Sequence, residues 1–173
     1  LLEETWKRFT RGGALLAPAG RERLRAINAE LASLGVRVGE SLLAEMNGYR
    51  LVVEKREDLA GLSDRVVAGA AAAAEQAGLA GKWVFTLHGP SLWPFLAAAE
   101  NRELRRELFT AYTTRGSHGD ERDTRALVAQ IAALRAEAAQ LLGFPTWADF
   151  VLDENMAENP ARVYDLLGQL WGA

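Results

Sequence analysis

The sequence predicts a mainly α-helical fold: an antiparallel multi-helix domain that carries one short, hairpin-like pair of β-strands. Two observations predict the helices. Alanine is abundant while proline occurs only 5 times in 173 residues, and apolar residues recur at three- and four-residue steps through most of the chain. The strands are predicted because two short β-branched runs interrupt this periodicity. The length suits one domain, so we expect residues 1–173 to form a single helical segment.

The N-terminal part of the chain predicts two helices. Residues 1–11 form the first, which a pair of glycines ends. Residues 20–46 form the longest amphipathic helix, and Gly35 and Gly39 interrupt it. We expect each of these glycines to allow close packing against a neighbouring helix. The apolar stripe of this helix consists of Leu24, Ile27, Leu31, Leu34, Val38 and Leu42.

The two predicted strands lie at residues 49–53 and 83–87, which are rich in β-branched and aromatic side chains. Each run is too short for a helix, and together they predict an antiparallel pair. The segment between them predicts a helix over 64–78, which contains five consecutive alanines at 70–74 and ends at Gly78.

The C-terminal half predicts helix almost throughout. Ser91 is expected to cap a short helix that has Pro94 in its first turn. Two longer helices follow, over 101–115 and 120–142. We expect these two and the helix at 20–46 to pack side by side in antiparallel order.

Four residues predict where the last helices begin and end. Asp120, together with another aspartate three residues later, is expected to open the helix at 120–142, and Gly143 to end it. Thr146 starts an acidic capping box before an apolar helix. Asn159 is a cap that is followed by a first-turn proline, which predicts the last helix.

The composition excludes several classes of function. The net charge is −3, with 20 basic and 23 acidic residues, so we expect neither nucleic acid nor a membrane surface as a partner. The arginines alternate with glutamates, which is typical of solvated helix faces. There is no cysteine, which excludes disulfides and thiolate metal sites. We expect a cytoplasmic protein, and an export signal before Leu1 stays an open alternative.

The sequence names no catalytic residue and no metal ligand, and it leaves substrate-binding residues unknown. His88 and His118 have no second histidine at helical spacing, and no H-E-x-x-H motif is present. We expect each to make a backbone hydrogen bond in a turn. Three serines, Ser63, Ser91 and Ser117, lie outside any nucleophile motif and are interpreted as caps. The five tryptophans are expected to lie mostly in the core.

Several motifs carry a resemblance to a known family. Residues 101–105 (NRELR) and 111–116 (AYTTRG) form the first match, and residues 134–137 (LRAE) and 141–144 (LLGF) lead into the second. Residues 81–87 (GKWVFTL) form a third. The second match continues through Ala148, Leu152, Met156, Ala157 and Pro160. Together these motifs resemble the zinc metallopeptidase family of thimet oligopeptidase, oligopeptidase A and bacterial peptidyl-dipeptidases.

The resemblance implies a parent enzyme that hydrolyses short peptides with one zinc ion. In that family an H-E-x-x-H helix and a downstream glutamate hold the metal, and these residues lie later in the chain than the part present here. The segment would then be one helical wall of the substrate channel, inactive alone and without zinc of its own. Its partners would be oligopeptide substrates and the rest of its own polypeptide. The alternative is a non-catalytic helical interaction module.

The chain begins and ends within helical pattern, so we expect apolar residues near both ends to have lost partners. On this interpretation the isolated segment self-associates. The apolar residues concerned are Leu1, Leu2, Trp6, Leu166, Leu167, Leu170 and Trp171.

Overall fold

The computed structural model describes residues 1–172, which contain eight α-helices and a single sheet of two strands. The predicted mainly α fold with one strand pair is confirmed. No helix in this part of the chain is both long and apolar enough to cross a membrane. The elements in chain order are α1 (Leu2–Arg11), α2 (Pro18–Gly48), β1 (Leu51–Val53), a 3₁₀-helix (Arg56–Leu59), α3 (Asp64–Gln76), β2 (Trp83–Phe85), α4 (Gly89–Ala98), α5 (Arg102–Thr113), α6 (Arg125–Leu141), α7 (Trp147–Leu152) and α8 (Pro160–Trp171).

Three helices begin at a side chain that caps N–H groups of the first turn. Asn101 Oδ1 accepts two hydrogen bonds from the first turn of α5, each 3.1 Å long. Thr146 Oγ1 accepts from the Asp149 N–H at 3.2 Å at the start of α7. Asn159 Oδ1 accepts from the first turn of α8 at 3.1 Å. The predicted starts at Thr146 and Asn159 are confirmed, and each cap satisfies donors that the helix itself leaves free.

Helix α4 begins before the predicted cap. His88 occupies the N-cap position, and Pro90 lies in the first turn, while Pro94 is inside the helix. Ser91 Oγ instead accepts a hydrogen bond from the Thr86 N–H at 3.0 Å. The prediction that Ser91 caps this helix is therefore wrong, because its hydroxyl closes the turn after β2 and the earlier proline sets the first helical turn.

Helix α6 begins at Arg125 rather than at Asp120. The carboxylates of Asp120 and Asp123 accept hydrogen bonds from the N–H groups two residues ahead, both at 3.0 Å. Such local bonds hold the backbone in turns and compete with helix formation, which is why the predicted start is wrong. The predicted end is confirmed, since Gly143 follows the helix with a φ of 86°.

The chain divides into two compact units. The first consists of Leu1–Val36 and of the residues from Ala126 to the end of the described chain, and the second is Arg37–Arg125. The boundaries fall inside α2 and at the start of α6.

The core of the first unit lies between α2 and α6. Leu24, Ile27 and Leu34 of the predicted stripe are buried and form one apolar cluster with Leu134 and Ala138. The burial of these three residues, at spacings of three and seven, confirms that the apolar periodicity of α2 marks its core-facing side.

Arg11 joins α1 to α7 in the first unit. Its guanidinium donates to Asp153 Oδ2 at 2.8 Å and to the Phe150 carbonyl oxygen at 2.6 Å. It also lies 4.2 Å from the centroid of the Phe150 ring. The stacking and the two hydrogen bonds fix the arginine, whose side chain is only 18% exposed.

The two strands of the second unit pair in antiparallel order. Leu51 lies opposite Phe85, and Val53 lies opposite Trp83. Leu51 and Val53 are buried while Val52 points outward, as expected for a strand with one covered face. The predicted strand pair is confirmed, although each strand is shorter than its β-branched run.

Helices α3, α4 and α5 cover the inner face of these strands. Phe85 and Phe95 pack with ring centroids 4.4 Å apart at the centre of the cluster. The alanine run of α3 contributes Ala70 and Ala74 to the buried side, where small side chains allow the helix to approach closely. The fully buried apolar residues of this core also include Leu87, Leu92 and Leu108.

Gly35 and Gly39 lie at exposed positions of α2, and a Cβ added at either would meet no atom within 4 Å. The expectation of close helix packing at these glycines is therefore wrong for the described residues. Both lie beside the buried stripe that Leu34 belongs to, not within it.

The tryptophans divide between core and surface. Trp83 and Trp147 are partly buried against the two apolar clusters. Trp6, Trp93 and Trp171 are instead 61%, 54% and 95% exposed. The expectation of a core position is wrong for these three, which lie on the outward sides of their helices.

Candidate functional site

The two histidines lie in different surroundings. His88 is at the N-cap of α4, and its side chain makes no capping hydrogen bond. His118 Nε2 lies 2.5 Å from Glu45 Oε1. The prediction that a backbone hydrogen bond holds this histidine is therefore wrong, because a carboxylate from α2 is its partner.

The three serines form no catalytic pair with a histidine within residues 1–172. Ser63 is at the N-cap of α3 without a side-chain bond, and Ser117 Oγ donates to the Thr114 carbonyl oxygen at 2.7 Å. The Ser91 hydroxyl closes the turn after β2 by accepting from the Thr86 N–H. In the same range, no group of three or more histidine, aspartate or glutamate residues could hold a metal ion. These side chains do not fit a zinc site, and we assign no metal-dependent step to them.

Glu45 holds the loop between α5 and α6. Its Oε2 accepts from the Gly116 N–H at 2.7 Å, and its Oε1 faces His118. Gly116 has a φ of 67°, and an added Cβ would lie 2.5 Å from Thr124 Oγ1. Only glycine fits this position, so the backbone at Gly116 can approach both α2 and the buried threonine.

Asp123 fixes the second half of the same loop. Its Oδ2 accepts from the Gly119 N–H at 2.7 Å. The Arg125 guanidinium, which hydrogen-bonds to the carboxylate, and this N–H group hold the pKa of Asp123 far below its usual range. The loop is therefore tied at both ends by carboxylates, and Gly116 and Gly119 have the positive φ values, 67° and 73°, that are typical of turn glycines.

The candidate functional site lies on the outer side of α4 and α5. Trp93 and Tyr112 meet edge to face with ring centroids 5.3 Å apart. The Arg115 guanidinium lies 3.8 Å from the centroid of the Tyr112 ring. Trp93 and Phe109 are each 54% exposed. Such exposed aromatic groups next to arginine are typical of binding surfaces.

Three further arginines extend this surface. Leu96, Phe109, Arg102, Arg105 and Arg106 line an open concavity of about 620 Å³, which we call the arginine concavity. Its guanidinium groups can hydrogen-bond to an anionic group, while Leu96 and Phe109 offer apolar contact beside it.

The alternation of arginines with glutamates predicted only a solvated helix face for these arginines. One pair fits that interpretation, since Arg106 hydrogen-bonds to Glu103 one turn away. The remaining two arginines form no ion pair with a described residue. The signal that could have revealed the surface is the apolar residue Phe109 beside Leu108, because the buried Leu108 already fixes the core-facing side of α5.

A second concavity, of about 450 Å³, lies between α3, β2 and α4. Small and apolar side chains line most of it, including Gly69, Ala73 and Pro94. Arg65 is the one charged residue among those that line it. This concavity offers an apolar lining with few polar groups to orient a ligand.

The chain is similar to a known peptidase family and to several curated relatives. Residues 95–172 match the sequence profile of peptidase family M3. The dipeptidyl carboxypeptidase of Escherichia coli (strain K12) is 36% identical over 170 residues, which cover 98% of this chain and 25% of the relative. The dipeptidyl carboxypeptidase of Salmonella typhimurium is 37% identical over 160 residues, with coverage of 92% and 24%. Oligopeptidase A of Haemophilus influenzae is 35% identical over 173 residues, with coverage of 98% and 25%.

Each of these relatives is named as a peptidase. The match of residues 95–172 to family M3 and the similarity of these relatives to almost the whole chain confirm the resemblance that the motifs indicated. The chain spans about a quarter of the length of the curated relatives that it matches.

Proposed function

We propose that this chain is part of a zinc-dependent metallopeptidase of the peptidyl-dipeptidase or oligopeptidase type, which hydrolyses short peptides. The observation that supports the proposal is the 36% identity over 98% of the chain with a dipeptidyl carboxypeptidase. A similarity that runs through almost every element, and not through one motif, is a stronger basis than a shared fold.

Within that enzyme the chain serves as scaffold and as a helical wall of the substrate channel. Rigid helices exclude folded domains, while an extended peptide can enter at about 3.3 Å per residue. The zinc ion and its ligands would belong to another part of the parent polypeptide. The contribution of this segment is then the positioning of the substrate, in which an error of about 1 Å can lower the rate about a hundredfold.

The partners in this proposal are oligopeptide substrates and the rest of the same polypeptide. We propose a cytoplasmic location for the parent, in line with one relative that is named probable cytosolic oligopeptidase A, while a second relative is named organellar oligopeptidase A. The net charge of −3 supports neither nucleic acid nor an anionic membrane as a partner.

The first test of the proposed function is the sequence of the gene that encodes the parent protein. The reading frame beyond Ala173 should encode an H-E-x-x-H motif and a downstream glutamate. The full-length protein should then cleave a quenched fluorescent peptide, spare a folded protein, and lose activity with a chelator. The 173-residue chain alone should cleave nothing. An intact gene without the motif, or a full-length protein without peptidase activity, would favour the non-catalytic interaction module.

A further inference from the structure

The arginine concavity carries an excess of positive charge on a chain whose net charge is negative. Of its three arginines, only Arg106 pairs with a carboxylate among the described residues, that of Glu103. The Arg105 guanidinium donates to the Ala99 carbonyl oxygen, which leaves its charge uncompensated. Arg102 is exposed and has no ion-pair partner in residues 1–172. The concavity therefore favours an anionic ligand.

The apolar part of the concavity restricts the kind of anion. Leu96 and the half-exposed Phe109 line the concavity together with the arginine side chains. Burial of these two side chains requires an apolar group on the ligand close to its negative charge. The last residue of a peptide combines both features when its side chain is apolar, since its free carboxylate is attached to the same Cα.

We propose that the arginine concavity binds the carboxyl end of a peptide, with Arg102 and Arg106 on the terminal carboxylate and with Leu96 and Phe109 against the last side chain. This inference rests on the proposed function, because it identifies which part of a peptide substrate this segment contacts. A guanidinium presents two parallel N–H donors that match the two oxygens of a carboxylate.

The geometry assigns different roles to the arginines. The pair between Arg106 and Glu103 is solvent-exposed, with both side chains more than two thirds accessible. Exposed pairs of this kind are weak, so Arg106 can exchange Glu103 for a ligand carboxylate at small cost. Arg105 is held by a backbone carbonyl group and is the positioning residue, since it fixes the end of α4 against α5.

The experiment compares a short peptide that ends in phenylalanine with the same peptide as its C-terminal amide. Affinity for the full-length protein is measured by fluorescence anisotropy in the presence of a chelator, so that hydrolysis does not intervene. The free acid should bind about tenfold more tightly than the amide, and this preference should shrink in high salt. The R102Q/R106Q variant should lose the preference and bind the amide as the wild type does.

Two controls test whether the preference depends on these particular arginines and on a terminal carboxylate. Arg37→Gln removes a charge from an exposed position of α2 that has no ion pair with a described residue, and it should leave the preference intact. A peptide amide with an internal glutamate tests whether any carboxylate suffices. Equal affinity for acid and amide, an unchanged preference in R102Q/R106Q, or binding of the internal glutamate as strong as that of the free acid would each overturn the proposal.

The proposed function can fail independently of this inference. If the full-length protein cleaves no peptide but still prefers the free acid through Arg102 and Arg106, the enzyme assignment fails and the carboxylate site stands. If it cleaves peptides without such a preference, the enzyme assignment stands and the site proposal is overturned. A lower melting temperature of R102Q/R106Q, together with unchanged peptide binding, would show that the parent polypeptide covers this surface, which also overturns the proposal.

Discussion

Tyr49 lies between α2 and β1 and packs against the core of the second unit. Its hydroxyl oxygen is buried and makes no hydrogen bond of good geometry with a described residue, although the Glu107 carboxylate lies close enough to act on the hydroxyl proton. Burial raises the pKa of Tyr49 to about 12, and the negative charge of Glu107 acts in the same direction. An unpaired buried hydroxyl lowers the stability of the fold, since it loses its bonds to water without replacement.

Tyr49→Phe removes this hydroxyl and should raise the free energy of unfolding at pH 7 by about 1 kcal/mol. The unfolded tyrosine ionises near pH 10 while the folded one keeps its proton up to about pH 12. The free energy of unfolding of the wild type should therefore stay constant with respect to this group below about pH 10 and decrease as the pH rises toward 12. The Tyr49→Phe variant should not show this decrease. Urea denaturation across that range measures both effects. Tyr164→Phe, at a position that is 72% exposed, is the control and should change neither.

At the scale of the helix, Gly35 and Gly39 of α2 contradict the expectation that they allow close packing against a neighbouring helix. Since a Cβ at Gly35 or Gly39 meets no atom within 4 Å, alanine fits without strain. Alanine also lowers the entropy that the unfolded chain loses on folding, so each substitution should stabilise the protein by about 0.5–1 kcal/mol. Thermal denaturation of the Gly35→Ala/Gly39→Ala variant measures this gain.

Gly116→Ala is the contrasting variant for this measurement. At Gly116 the backbone is left-handed, and the added Cβ would lie 2.5 Å from Thr124 Oγ1, so alanine should destabilise the protein. A loss of stability in the Gly35 and Gly39 variant would mean that these glycines pack against a part of the parent outside the described residues.

The elements that the sequence predicted well are those that local periodicity and caps determine. The stripe of α2, the cap at Asn159 and the turn at Gly143 depend on neighbours within a few residues, and all three were predictable. The starts of α4 and α6 were not, because Ser91 and Asp120 have side chains that hydrogen-bond equally well to a turn or to a helix.

The candidate site could not be predicted because it depends on contacts between elements. Trp93 and Tyr112 are far apart in sequence and meet only when α4 folds against α5. Likewise, nothing near His118 in the sequence indicates that Glu45 is its partner. Periodicity identifies the buried face of a helix, but not which exposed side chains of two helices form one surface.

At the scale of the whole molecule, exposed ion pairs link distant segments in each unit. Arg23 holds Glu137 with two hydrogen bonds of 2.5 and 2.6 Å, and Lys82 holds Glu54 across the strand pair. These hydrogen bonds lower the pKa of Glu137 and of Glu54. A lowered folded-state pKa adds stability that is present above the unfolded value of about 4.3 and is lost as the pH falls through the folded value.

The melting temperature should therefore decrease as the pH falls below about 4.3, and salt should weaken this dependence because the pairs are exposed. Glu137→Gln should lower the melting temperature slightly at neutral pH and have a smaller effect at about pH 3, because the stabilisation from the lowered pKa of Glu137 is progressively lost below the unfolded value. Glu40→Gln, at an exposed position without an ion pair to a described residue, is the matched control. An equal effect of Glu137→Gln at both pH values would contradict the role of the charge.

Helix α8 exposes several large apolar side chains. None of its residues is buried, and Leu166, Leu167, Leu170 and Trp171 are 57%, 52%, 67% and 95% exposed. Apolar surface of this extent favours contact with another surface over contact with water. The 173-residue chain should therefore self-associate, and light scattering should report an average mass that rises with concentration.

The L170Q/W171Q variant should shift this association to higher concentration, since it removes two apolar side chains of α8 that are 67% and 95% exposed. Val36→Gln changes an apolar side chain that is 59% exposed on α2, and it should have little effect. A wild-type chain that stays monomeric at high concentration would contradict the prediction. If Val36→Gln weakened association as much as L170Q/W171Q, the contact would not be specific to α8.

Because one apolar helix face can meet either a second copy or the rest of the parent, the full-length protein should associate less than the 173-residue chain if the parent covers this face.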